Sequence, residues 1–110
     1  MNIDDLVAVD WLEPWGAVHG PVARGLEVEL GQELEPGHPL YGWRAVAVGR
    51  RFDVDDVLYF IPGAEYPLAV VRLLWREKVN GEDSSWPRAA LYTSLEEWVE
   101  RCMKPNHVSF

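Results

Sequence analysis

The chain has 110 residues and a mass of 12.6 kDa, room for one domain and too little for two separate cores. Hydrophobic residues make up 48% and charged residues 25%, the balance of a folded globule, which excludes a chain held open by its own charge. Ten basic residues against eighteen acids leave a formal charge of −8, which opposes nucleic acid or an anionic membrane as partner.

The N-terminus, Met1-Asn2-Ile3-Asp4-Asp5, is acidic where a secretory leader is basic. No stretch approaches the roughly 18 uninterrupted apolar residues of a membrane span. The one cysteine, Cys102, allows no internal disulfide and suits a reducing compartment. A cytoplasmic single domain over residues 1–110 is expected. Residues 1–49 hold eight of the eighteen acids but only two of the ten basic residues, Arg24 and Arg44. Glu27, Glu29, Glu33 and Glu35 therefore read as a solvated helix face, with an acidic docking surface as the alternative.

Residues 1–20 give no clean period. Leu6, Val7, Val9, Trp11 and Leu12 are apolar without regular spacing, and Gly16, Gly20 and Pro21 then punctuate the chain. From Pro21 to Leu34 the apolar residues Val22, Leu26, Leu30 and Leu34 recur at every fourth position, which predicts a helix with Pro21 in its first turn. Leu26-Glu27-Val28-Glu29-Leu30 also alternates like a strand, but the four-residue spacing spans the longer window. Gly25 and Gly31 weaken that helix by about 1 kcal/mol each, and Pro36-Gly37 ends it.

Trp43 to Arg51 predicts a strand, Phe52 to Asp56 a turn, and Val57 to Ile61 a second, wholly apolar strand closed by Pro62-Gly63. Leu68 to Trp75 is the strongest strand, apolar on both faces apart from Arg72 and so interior to its sheet. Asn80-Gly81 is a two-residue hairpin signal, and Arg88 to Thr93 a fourth strand near an edge. Ser94 and Glu97 have capping-box spacing, and Leu95, Trp98, Val99 and Cys102 share one face of a helix that Pro105 stops, leaving 104–110 as a tail. The predicted class is α+β: a helix, a bent antiparallel sheet of three or four strands, and a C-terminal helix. The alternative is a small Sm-like or SH3-like barrel with an N-terminal helix.

No motif specifies an activity. Asp53, Asp55 and Asp56 lack the glycine and glutamate of a calcium loop, since Leu58 and Ala64 stand at the sixth and twelfth positions. Aspartates in a short turn bond neighbouring amides instead. His19, His38, His107 and Cys102 show no zinc-ligand spacing. Cys102 on an apolar stripe acts as a small hydrophobe rather than a nucleophile. Neither a serine elbow nor a phosphate-binding glycine loop occurs, so neither a catalytic residue, a metal nor a cofactor is expected.

Two features stand out. The first is tryptophan, six in 110 residues. Trp75 and Trp98 fit core positions, whereas Trp11, Trp15 and Trp86 lie beside prolines or in aperiodic segments where indoles are partly exposed. The second is Arg72 in the strongest strand, whose guanidinium needs a carboxylate or the sheet edge. Trp11, Trp15, Trp43, Arg72 and Trp86 are thus the candidate ligand or partner contacts.

Five blocks carry a further signal: Gly37-His38-Pro39-Leu40-Tyr41-Gly42, Asp55-Asp56-Val57-Leu58-Tyr59-Phe60, Ala69-Val70-Val71-Arg72-Leu73-Leu74-Trp75, Trp86-Pro87, and Tyr92-Thr93-Ser94-Leu95-Glu96-Glu97-Trp98. Together they resemble a group of small uncharacterised bacterial proteins of about this length that has no assigned activity. That pattern has histidine at the position of Arg72 and threonine at that of Leu74, where this chain departs from it. The resemblance implies a fold and no chemistry.

Acidity, excess tryptophan and the missing catalytic constellation make a non-catalytic protein-binding module the leading expectation, in concrete form an immunity or inhibitor protein masking a basic partner. Another protein is the expected partner, with self-association as an alternative. A small-ligand site between helix and sheet around Arg72 is the second expectation, and an Sm-like RNA-binding barrel the third.

Overall fold

The computed structural model describes residues 1–77 and 82–110. Its frame is an antiparallel meander of β1 (Trp15–Ala17), β2 (Val46–Arg51), β3 (Asp56–Phe60), β4 (Leu68–Arg72) and β5 (Ala89–Tyr92), side by side in chain order. β4 is interior, paired with β3 through Asp56↔Arg72 to Phe60↔Leu68 and with β5 through Leu68↔Tyr92 to Val71↔Ala89. The expected Asn80-Gly81 turn lies outside the described residues.

Both faces of the sheet are covered, which is why β3 and β4 read as unbroken apolar runs. Successive side chains point to opposite faces. Val57, Tyr59, Ala69 and Val71 pack with Ala23, Leu26 and Leu30 of α2 (Gly20–Glu33). Leu58, Phe60, Leu68 and Val70 pack on the opposite side with Leu6, Trp15, Trp98 and Met103. The second layer comes from the N-terminal segment, including α1 (Asp4–Val7), and from a C-terminal helical run of α3 (Leu95–Trp98), a π-turn (Val99–Met103) and α4 (Lys104–Ser109). The α+β class holds.

Among the described residues five strands replace the expected three or four. The extra strand, β1, is three residues of Trp-Gly-Ala, too short for an alternating pattern, and it pairs only with Gly49 to Arg51. The barrel alternative is corrected as well: β1 and β5 are the two edges of an open sheet. Helical layers bury both faces, so the sheet need not curl on itself to hide one.

Helix α2 begins one residue before its expected start, with Pro21 in the first turn. Its buried face is Ala23, Leu26, Leu30 and Glu33 rather than the four-residue row, and Val22 is exposed. At 3.6 residues per turn each four-residue step drifts by about 40°, so a row of four positions cannot stay on one buried stripe.

The expected stop at Pro105 does not occur. In a regular α-helix the proline ring would meet the carbonyl four residues back. Here the chain first widens, the Lys104 N–H bonding to the Val99 carbonyl five residues earlier, and the helix then continues through the expected tail. At the other end the Ser94 hydroxyl accepts from the Glu97 N–H at 3.1 Å, and the Glu97 carboxylate accepts from the Thr93 N–H at 3.1 Å, one residue before the usual capping-box donor. Among the described residues no helix is long and apolar enough to cross a membrane.

Candidate functional site

The six tryptophans divide into structural and exposed sets. Trp98 is fully buried and forms edge-to-face pairs with Trp15 at 5.2 Å and Trp11 at 5.9 Å between ring centroids. Trp15, expected to be partly exposed, is buried, because its indole N–H donates to the Asn106 Oδ1 at 2.8 Å and ties β1 to α4. Trp11 lies over Gly49 of β2, where an added Cβ would run into its ring. These three form the second core.

Trp43, Trp75 and Trp86 are the exposed set, at 50%, 53% and 38%. Trp43 borders an apolar opening of about 140 Å³ with Pro39, Leu40, Ile61, Tyr66 and Leu91. Trp86 carries the Arg88 guanidinium over its ring at 4.7 Å. Arg72 is exposed and paired bidentately with Asp56, its partner across the β3–β4 ladder, at 2.7 and 3.1 Å. The five candidate residues therefore do not form one site. Arg76 is held by Glu82 at 2.6 and 3.1 Å.

The blocks shared with the bacterial pattern are scaffold contacts. His38 is buried, its Nε2–H donating to the Pro87 carbonyl at 2.6 Å while Nδ1 accepts from the Leu40 N–H at 3.0 Å. The glycine–histidine block and the Trp86-Pro87 block thus meet each other, and Trp98 fills the core. His107 donates from Nδ1 to the Glu13 carbonyl at 2.7 Å. Among the described residues no three His, Cys, Asp or Glu side chains converge as metal ligands. Cys102 is half-buried and donates weakly to Asn106 Oδ1 at 3.5 Å. Burial pushes its thiol pKa up, and burial together with Cys102 pushes the Tyr92 phenol up to about 12.

Trp75 is the residue that sequence reasoning misplaced. β4 ends at Arg72, and Trp75 has a φ of +55°; among the described residues it is the one non-glycine residue in the left-handed region. Such a conformation costs an L-residue on the order of 1–2 kcal/mol and persists only where its surroundings enforce it. The enforcing group is Glu33, a carboxylate at the end of α2 that is 3% exposed. Its Oε1 accepts from the Leu74 N–H at 2.8 Å, and its Oε2 accepts from the Leu74 and Trp75 N–H groups at 3.0 and 2.9 Å. A buried helix side chain thus turns the chain away from the sheet and sends the indole outward.

Trp75 stands between two clefts. One, of about 550 Å³, is bordered by Glu29, Glu33, Glu35, Arg76 and Glu77. The other, of about 240 Å³, is bordered by Leu26, Arg50, Val54 and Asp55. The first is acidic, since the one cation bordering it among the described residues, Arg76, is bound to Glu82. Glu29 hydrogen-bonds Glu33, and that bond, followed by burial and the Glu33 charge, raises the Glu29 pKa to about 7. The apolar run Leu73-Leu74-Trp75 carries no local sign of exposure, because what expels Trp75 is a carboxylate more than forty residues earlier. No protein-family model, curated protein or solved structure matches the chain.

Proposed function

We propose that this chain is a non-catalytic protein-binding module, and that the face around Trp75 docks a basic segment of a partner protein. The observation that carries the reading is the pre-set indole: half-exposed, in a left-handed conformation, and fixed from below by the buried Glu33 carboxylate. Tryptophan supplies large contact area at small entropy cost, and an anchor held in place before binding loses less freedom on docking. The bordering carboxylates select a cationic partner and steer its approach. A basic toxin masked by an acidic inhibitor is the most specific form of this reading.

The test is a titration of the full chain with a hexalysine peptide at low salt, followed by backbone amide and indole NMR shifts. Shifts should concentrate on Trp75, Arg76 and residues 29–33. Trp75→Ala should weaken binding at least tenfold, in the range of an interface anchor, while Trp43→Ala leaves it unchanged. Binding indifferent to Trp75→Ala would refute the reading.

A further inference from the structure

Glu29 and Glu33 lie one helical turn apart on α2 with their carboxyl groups hydrogen-bonded to each other, which places a proton between them. Glu33 is locked from its other side by the Leu74 and Trp75 amides, so Glu29 is the member free to turn toward solvent. Resting on the docking reading, we infer that seating a cationic side chain beside Trp75 expels this proton, so that partner binding and proton release are one coupled event.

The surroundings of the pair favour this coupling. From α2 it is faced by Gln32 and Glu35, and from the chain beyond β4 by Trp75, Arg76 and Glu77. From β3 it is faced by Tyr59, whose hydroxyl donates to the Leu26 carbonyl at 2.7 Å. Glu27, two residues before Glu29, accepts from the Ala47 N–H of β2 at 3.0 Å. Arg76 is engaged by Glu82, leaving the shared proton as the main relief of repulsion between the two carboxyls. With Glu29 raised to about 7, the proton is near half occupancy at neutral pH. An ammonium or guanidinium beside the pair stabilises its ionised form, so the proton leaves as the cation arrives and affinity climbs with pH. For folding of the free chain the sign is opposite. A pKa raised above the ordinary 4.5 gives a stabilisation that is complete below about 4.5 and is lost as pH rises through about 7.

The experiment is calorimetric titration of the full chain with hexalysine at pH 6, 7 and 8, with the pH 7 measurement repeated in phosphate and in Tris. Affinity should rise about tenfold from pH 6 to pH 8, and the two buffers should differ by the heat of roughly half a proton released. Glu29→Gln should bind with the pH 6 affinity of the parent chain throughout and show no buffer dependence. Its melting temperature should draw ahead of the parent's between pH 5 and pH 8. Trp75-dependent binding that is flat with pH would overturn the coupling and leave the docking reading standing. Absence of hexalysine binding at every pH would overturn both. Parallel melting curves for the two chains would overturn the shared proton itself.

Discussion

Glu33 and Trp75 show how one buried carboxylate sets the backbone of a residue far away in sequence. Removing it in Glu33→Ala takes the acceptor from two amides in a part-buried setting. We expect a loss of about 2 kcal/mol in denaturant unfolding at pH 6, together with broadened Leu74 and Trp75 amide resonances. Trp75→Gly tests the strain from the other side. Glycine takes a φ of +55° without penalty and the lost indole is mostly in water, so stability should change by less than about 1 kcal/mol. Trp98→Ala, which empties a fully buried position, should cost about 4 kcal/mol. An equal loss in the two tryptophan variants would show that Trp75 is a core residue after all. Cys102 differs again. Its pKa is raised by burial, which keeps the thiolate scarce near neutral pH, so its reaction with a disulfide reagent at pH 7.5 should be slower than that of free cysteine and should accelerate on unfolding.

At the scale of elements, α2 carries two interior glycines that contact nothing: a Cβ at Gly25 or Gly31 meets no atom within 4 Å. Gly25→Ala and Gly31→Ala should each raise stability by about 0.5–1 kcal/mol, read as a shift in the denaturant midpoint at constant slope, because alanine loses less backbone entropy on entering a helix. The four longer strands and α2 were legible because each carries a local signal: apolar runs between turn residues, or a helical row after a proline. β1 was not, since its three residues are ordered by pairing with β2 and by Trp15 reaching Asn106, neither of which leaves a spacing to read. The last helix outran its proline because a π-turn is a backbone response with no residue signature of its own. The candidate site was the least legible part. Of its elements only the acidic α2 face could be read, while the residue that matters most, Trp75, was hidden inside an apolar run that local pattern assigns to a strand.

The whole molecule is two cores divided by one sheet, and the division has a consequence for how it opens. The α2 side is built from a continuous central stretch of chain, with Ala23, Leu26 and Leu30 against Val57, Tyr59 and Val71. The opposite side joins the two ends: Leu6 and Trp15 from the N-terminal segment meet Trp98 and Met103 from the C-terminal run. Two polar ties hold the ends together, Trp15 to Asn106 at 2.8 Å and His107 to the Glu13 carbonyl at 2.7 Å, and both depend on α4. Ending the chain after Met103 keeps every core side chain yet deletes both ties. The N-terminal segment should then open while the sheet and α2 persist, because local stability follows the contacts that hold each part. Amide hydrogen exchange at neutral pH should lose protection at Trp15–Ala17 and at Gly49 and Arg51 of the adjoining β2, with β3, β4 and α2 little changed. Since Trp75 and Glu33 belong to the α2 side, hexalysine binding by the shortened chain should match that of the full chain. A uniform loss of protection through β3 and α2 would instead show that the two cores unfold as one unit, with the terminal clasp stabilising the docking face as well.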